Sequence, residues 1–169
     1  MKYFAVIDTN VLVSYLLTNN KESPIVKIVA AILSGRIIPM YNDEIINEYD
    51  SVLRRDRFGF SKEKVSKTIE LIEHCGVNCE RKPVVESFPD PDDIVFYEVA
   101  MSREDSYLVT GNLKHFPKNG RVVSPAEMLY IIEYGEIGED VLNDTESPYY
   151  LPIPLDEINA VIRDYRNSR

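Results

Sequence analysis

Tyr3-Phe4-Ala5-Val6-Ile7-Asp8-Thr9-Asn10-Val11-Leu12-Val13 decides the fold. Its first five residues are aromatic, small or β-branched, a run short enough and rich enough in strand formers to read as a strand, and it stops at an aspartate. An apolar strand without alternation belongs inside a parallel sheet covered on both faces. Such sheets take ligands in the crevice beyond the carboxyl ends of their strands, so Asp8 stands where chemistry is done. A helix N-cap is the plain structural account of the same residue, because aspartate ahead of an apolar helix satisfies its first turn. On this stretch alone both accounts stay open.

Outward from it, strands and helices alternate as in an α/β sandwich. A helical stretch over 24 to 34 is stopped by Gly35, and Arg36-Ile37-Ile38-Pro39-Met40 reads as a second strand. Asn42 caps a helix whose Ile45, Ile46, Tyr49, Val52 and Leu53 follow the i, i+4, i+7, i+8 spacing of one buried face. Ser61 caps the next helix, with Val65, Ile69 and Ile72 on one stripe and Gly76 at its end. A weak strand over 77 to 81 and an extended loop over 83 to 93 lead into an apolar helix from Ile94 to Met101. Core strands follow over 106 to 110 and 121 to 123. Ser124-Pro125-Ala126-Glu127 is a capping box that opens a helix ending near Gly135. Beyond it, 147 to 154 reads as extended and 155 to 166 as a last short helix.

At 169 residues the chain fits one domain, and a chain of this size buries roughly 70% of the surface its unfolded form exposes. Its apolar stretches fall well short of the ~20 residues that span a bilayer. The start leads directly into a strand rather than a signal-peptide core, so a cytoplasmic protein with no membrane contact is expected. Cys75 and Cys79, with His74 beside them, are too few ligands for a closed zinc site and read as packing residues.

A net charge of −9 argues against a nucleic-acid partner until it is divided along the chain. Residues 1 to 121 hold 16 Lys or Arg against 18 Asp or Glu, a near balance, whereas 122 to 157 hold nine acids and no Lys or Arg. Within the front part, Arg54, Arg55, Arg57, Lys62, Lys64 and Lys67 face only Asp56 and Glu63 between 51 and 68, a local +4. That patch suits a phosphate backbone, and equally a solvated helical face.

Three further polar stops accompany Asp8. Glu48 lies at the border of its helix's apolar face, where a carboxylate is partly desolvated and needs a cation or a donor. Asp93 falls in the first turn of the apolar helix, where the helix dipole favours an anion, and capping by Asp90 or Asp92 explains part of that cluster without function. Thr110-Gly111-Asn112 closes the strand over 106 to 110.

Taken together, Val6-Ile7-Asp8-Thr9-Asn10-Val11-Leu12, Glu44-Ile45-Ile46-Asn47-Glu48-Tyr49-Asp50-Ser51-Val52-Leu53, Asp90-Pro91-Asp92-Asp93 with Ala100, and Leu108-Val109-Thr110-Gly111-Asn112-Leu113-Lys114-His115-Phe116 resemble the PIN-domain ribonucleases. Within them the resemblance is to the branch described as toxin components of bacterial or archaeal toxin-antitoxin systems. It spans roughly residues 3 to 132. It implies a three-layer α/β/α sandwich with a parallel sheet in the order 3-2-1-4-5, a nuclease domain over 1–132, and an acidic C-terminal extension over 133–169 packed on the same domain or on a partner. It also implies that Asp8, Glu48 and Asp93 are catalytic and bind Mg²⁺ or Mn²⁺, with Thr9, Asn10, Asp90, Thr110 and Asn112 in support. Few, hard oxygen ligands suit those ions, which keep waters and bind substrate phosphate.

The activity so implied is hydrolysis of phosphodiester bonds in single-stranded RNA through ion-activated water, with Arg54, Arg55, Arg57 and Lys62 as candidate RNA contacts. A cognate antitoxin protein and a second copy of the chain are the implied protein partners. The sequence departs from the pattern where many relatives place an aspartate two residues after Thr110 and another three further on: these are Asn112 and His115. A PIN-fold module that binds RNA or a partner without cutting is therefore the alternative. Other α/β enzymes also end a strand on aspartate, but an aspartyl-phosphate phosphatase needs a second aspartate where Asn10 stands, and a receiver domain needs a better-placed lysine than Lys114.

Overall fold

The computed structural model describes residues 1–135. Five parallel strands, β1 (Tyr3–Ile7), β2 (Ile37–Tyr41), β3 (Val77–Asn78), β4 (Ser106–Val109) and β5 (Val122–Val123), form one sheet in the order β3-β2-β1-β4-β5. The expected order 3-2-1-4-5 is the one found. The direction in which successive strands are added reverses at β1, which is flanked by β2 on one side and β4 on the other. The crevice beyond the ends of β1 and β4 is thus the topological switch point, where open α/β sheets bind ligands.

Six helices connect and cover the strands: α1 (Thr9–Leu17), α2 (Pro24–Leu33), α3 (Asp43–Leu53), α4 (Lys62–Cys75), α5 (Ile94–Ala100) and α6 (Pro125–Tyr134). Their starts are set by local chemistry. Ser23, Asn42 and Ser61 each accept a backbone N–H of the first turn, and Ser124 with Glu127 completes a reciprocal capping box. Gly35 ends the α2 turn at φ 71, a conformation that suits glycine. Gly76 has a different reason: a Cβ there would lie 2.5 Å from the Ile72 carbonyl oxygen and 2.6 Å from that of Pro39, so only glycine lets α4 turn into β3 against β2.

The core is continuous. Val6, Leu108 and Val109 from the centre of the sheet, Ile28 and Ile32 from α2, Tyr49 and Val52 from α3, and Phe96 and Val99 from α5 are all essentially inaccessible. The helix α5 is buried nearly all round, as its composition predicts. The third strand is shorter than the expected 77 to 81. After Cys79 N–H bonds to the Tyr41 carbonyl at 2.7 Å, the chain leaves the sheet and runs irregularly to Asp90. That excursion is tied to α5 by one buried acid: Glu98 accepts from Arg81 Nε at 2.6 Å and from the Val84 N–H at 3.1 Å. Among the described residues no helix is long and apolar enough to cross a membrane. The expected extended stretch at 147 to 154, the last helix and most of the acidic extension lie outside the described residues.

Candidate active site

Asp8 follows the last residue of β1, and its backbone occupies the N-cap position of α1, with the Val11 N–H donating to its carbonyl at 3.0 Å. Its carboxylate makes no capping bond. Instead Oδ2 accepts from Thr110 Oγ1 at 2.6 Å and from Asn10 Nδ2 at 2.8 Å. A cap explains the backbone and not the side chain. The bond to Thr110 follows from strand register: Ile7 pairs with Val109 in the parallel ladder, so the residues after each meet beyond the sheet edge.

The surrounding polar groups bond to one another. Asn10 Oδ1 accepts the Gly111 N–H at 3.0 Å, while the Asn112 N–H donates to Thr110 Oγ1 at 2.9 Å. With an N–H aimed at its oxygen, the Thr110 hydroxyl directs its one proton to Asp8. Thr9, fully buried, donates to Glu48 Oε1 at 2.6 Å and so sets Glu48 of α3 beside the end of β1. Asp8, Glu48 and Asp93 are 4%, 6% and 4% exposed. Burying carboxylates is unfavourable by several kcal/mol each without donors or cations, which is the physical reason for the hydroxyl and amide partners around them.

Asp93 closes a 3₁₀ turn, Pro91–Asp93, whose N-cap is Asp90: the Asp90 carboxylate accepts the Asp92 N–H at 3.0 Å. Asp90 therefore has the capping role that the sequence allowed for it. His115 Nδ1 lies 3.2 Å from Asp93 Oδ2. The same turn walls a cleft of about 160 Å³ lined by Glu44, Glu48, Arg81, Pro91, Asp92 and Val95. Glu48 and the turn bearing Asp93 thus open onto one cavity. A roomier groove of about 510 Å³ between α1, α2 and α4 has no carboxylate in its lining, so size does not locate the chemistry.

Tyr49, the neighbour of Glu48, is wholly buried and donates its hydroxyl to the Ile7 carbonyl. Burial pushes its pKa well above the ordinary tyrosine value, and the charges of Asp8 and Glu48 push it further in the same direction. Both acids therefore act on one phenol beneath the site. Among the described residues no three His, Cys, Asp or Glu side chains stand close enough together to hold a metal ion. The donor chemistry is that of a site for a hard cation, three carboxylates and an amide carbonyl, but the three acids are not drawn into a finished cage.

Several basic residues of the candidate RNA patch are engaged locally. Arg54 pairs with Asp50 at 2.6 Å and bonds to Ser66, and Lys67 pairs with Glu63 at 2.6 Å. Lys62 opens α4. Three contributors to the site went unrecognised in the sequence: Tyr49, read as an apolar-face residue; His115, read only as a missing acid; and Arg81, held between Glu44 at 2.8 Å and Glu98 at 2.6 Å. Tyr49 and His115 both lie within the quoted motifs, and that position is the signal the sequence offered for them; Arg81 lies in none.

A parallel sheet in the order β3-β2-β1-β4-β5, with a buried, hydrogen-bonded aspartate at the switch point beside β1, defines an α/β domain of the kind that binds ligands beyond the ends of its strands. The family described as PIN domain matches residues 5–114, and the chain belongs to it. PIN domains are typically nucleases and generally use divalent metals. No curated protein and no solved structure matches the chain.

Proposed function

We propose that this protein is an endoribonuclease that hydrolyses phosphodiester bonds of single-stranded RNA with Mg²⁺ or Mn²⁺, held by Asp8, Glu48 and Asp93. The observation that carries the reading is the commitment of the Asp8 carboxylate to Thr110 and Asn10 rather than to the helix it precedes. Capping of α1 accounts for the Asp8 backbone alone, and its carboxylate is held at the switch point. When bound, the divalent ion supplies water activation and neutralisation of charge on the phosphate. The residues do the rest. Thr110 and Asn10 fix the direction of the Asp8 carboxylate, Thr9 fixes Glu48, and the cleft beside Glu48 is of a size for a phosphate group of the strand. Arg54, Arg55, Arg57 and Lys62 attract the RNA backbone, a term that weakens with salt.

The absence of a finished three-acid cage among the described residues, with Asn112 and His115 in place of acids, supports a second reading: a PIN module that binds RNA without cutting. Asp8→Asn separates the two. Loss of manganese-dependent cleavage of single-stranded RNA, with the fold retained, is the result expected of a nuclease; RNA binding with no cleavage by either protein supports the module. The resemblance to toxin components extends the proposal to a cytoplasmic toxin silenced by a separate antitoxin chain, and to a homodimer. Growth arrest on expression of the wild type, absent with Asp8→Asn, tests that role.

A further inference from the structure

We propose that His115 is a positioning residue for Asp93, acting through its Nδ1 nitrogen; the inference rests on the nuclease reading of the site. Asp93 is an acceptor-only carboxylate when ionised, so a ring nitrogen 3.2 Å from its Oδ2 bonds to it by carrying the proton. The two side chains differ in exposure: that of Asp93 is 5% exposed and that of His115 is 39% exposed, so the imidazole reaches inward from the rim of the site.

The backbone explains why it arrives there. After β4, the Asn112 N–H bonds to Thr110 Oγ1, and the 3₁₀ turn Leu113–His115 begins; His115 N–H then bonds to the Asn112 carbonyl at 3.1 Å. Phe116, buried and edge-on to Phe88 with centroids 6.4 Å apart, anchors the far end of this loop. One seven-residue segment, Thr110 to Phe116, therefore holds Asp8 through a hydroxyl at one end and Asp93 through an imidazole near the other. His115 is not an acid and adds no negative charge beside Asp93. In place of another ligand it supplies an orienting donor, the arrangement by which outer groups fix the carboxylates of a metal site.

The chemistry of side chains provides the test. His115→Asn places an amide nitrogen where Nδ1 stands, His115→Gln places one where Nε2 stands, and His115→Ala removes both. Each is compared with the wild type for manganese affinity by calorimetry, for kcat and KM on single-stranded RNA, and for melting temperature. The expected result is that Ala and Gln each lower manganese affinity and kcat about 10- to 100-fold with KM unchanged, and that Asn restores both to near wild-type values. Equal manganese affinity and kcat in the wild type and His115→Ala overturn the inference. So does rescue by Gln and not by Asn, which would place the role at Nε2. If Asp8→Asn abolishes cleavage while the His115 variants match the wild type, this inference alone falls. A wild type that binds no manganese overturns both it and the nuclease reading.

Discussion

Thr110 donates its hydroxyl to the Asp8 carboxylate at 2.6 Å, joining residues 102 positions apart in the sequence across the ends of two adjacent parallel strands. The bond exists because β1 and β4 are neighbours in register, and it makes the site a property of the sheet rather than of a loop. Thr110→Val keeps the shape and removes the donor, leaving Asp8 and the Asn112 N–H each short of a partner. It should reduce stability by about 1 to 3 kcal/mol and lower kcat for RNA cleavage about 10- to 100-fold. Urea unfolding and steady-state kinetics measure the two effects, and Thr110→Ser should recover most of both.

Tyr49→Phe deletes the hydroxyl that satisfies the Ile7 carbonyl in the core, which should destabilise by about 1 to 3 kcal/mol. The phenol also gives a pH signature. Its folded pKa is raised above its unfolded value near 10, so its contribution to stability is full below that pH and is lost as pH rises beyond it, where the unfolded chain releases the proton and the folded chain retains it. Denaturation midpoints above pH 10 should therefore fall less steeply in Tyr49→Phe than in the wild type.

Gly76→Ala tests the close approach at the α4–β3 junction. A Cβ 2.5 Å and 2.6 Å from two backbone oxygens cannot be accommodated by rotating a side chain, so α4 and β2 must separate. Overpacking of this kind destabilises by about 1 to 3 kcal/mol, readable as a lowered urea midpoint. Gly120→Ala, where the added Cβ meets nothing within 4 Å, is the control without such a clash.

In the proposed site the buried acids Asp8, Glu48 and Asp93 repel one another, and a shared divalent ion would relieve that repulsion. Manganese at ~100 times its dissociation constant should stabilise the protein by about 2.7 kcal/mol, and the increment should vanish in Asp8→Asn. A thermal melt across a manganese titration reads it directly.

What could be read from the sequence was what is local. The strand from Tyr3 to Ile7, the buried face of α3 and the caps at Asn42, Ser61 and Ser124 each depend on a few adjacent residues, and all stand in the structure. The sheet order came from resemblance, because nothing in a single strand's composition names its neighbours. Whether Asp8 capped α1 or faced the site depended on Thr110, and no local pattern links them. Tyr49 was hidden for a related reason: its spacing put it correctly in the core, while its hydroxyl's partner lies on another strand. Asp90 and Asp93 look alike in sequence, and the fold separates them, one accepting its own turn's N–H and the other facing His115.

On the proposed reading, Asp8, Glu48 and Asp93 share one divalent ion. Crystals soaked in manganese and measured at an anomalous wavelength test it most directly. The expected result is a single strong peak within bonding distance of the Asp8 carboxylate and at least one of the other two acids, and a peak remote from all three overturns the shared site.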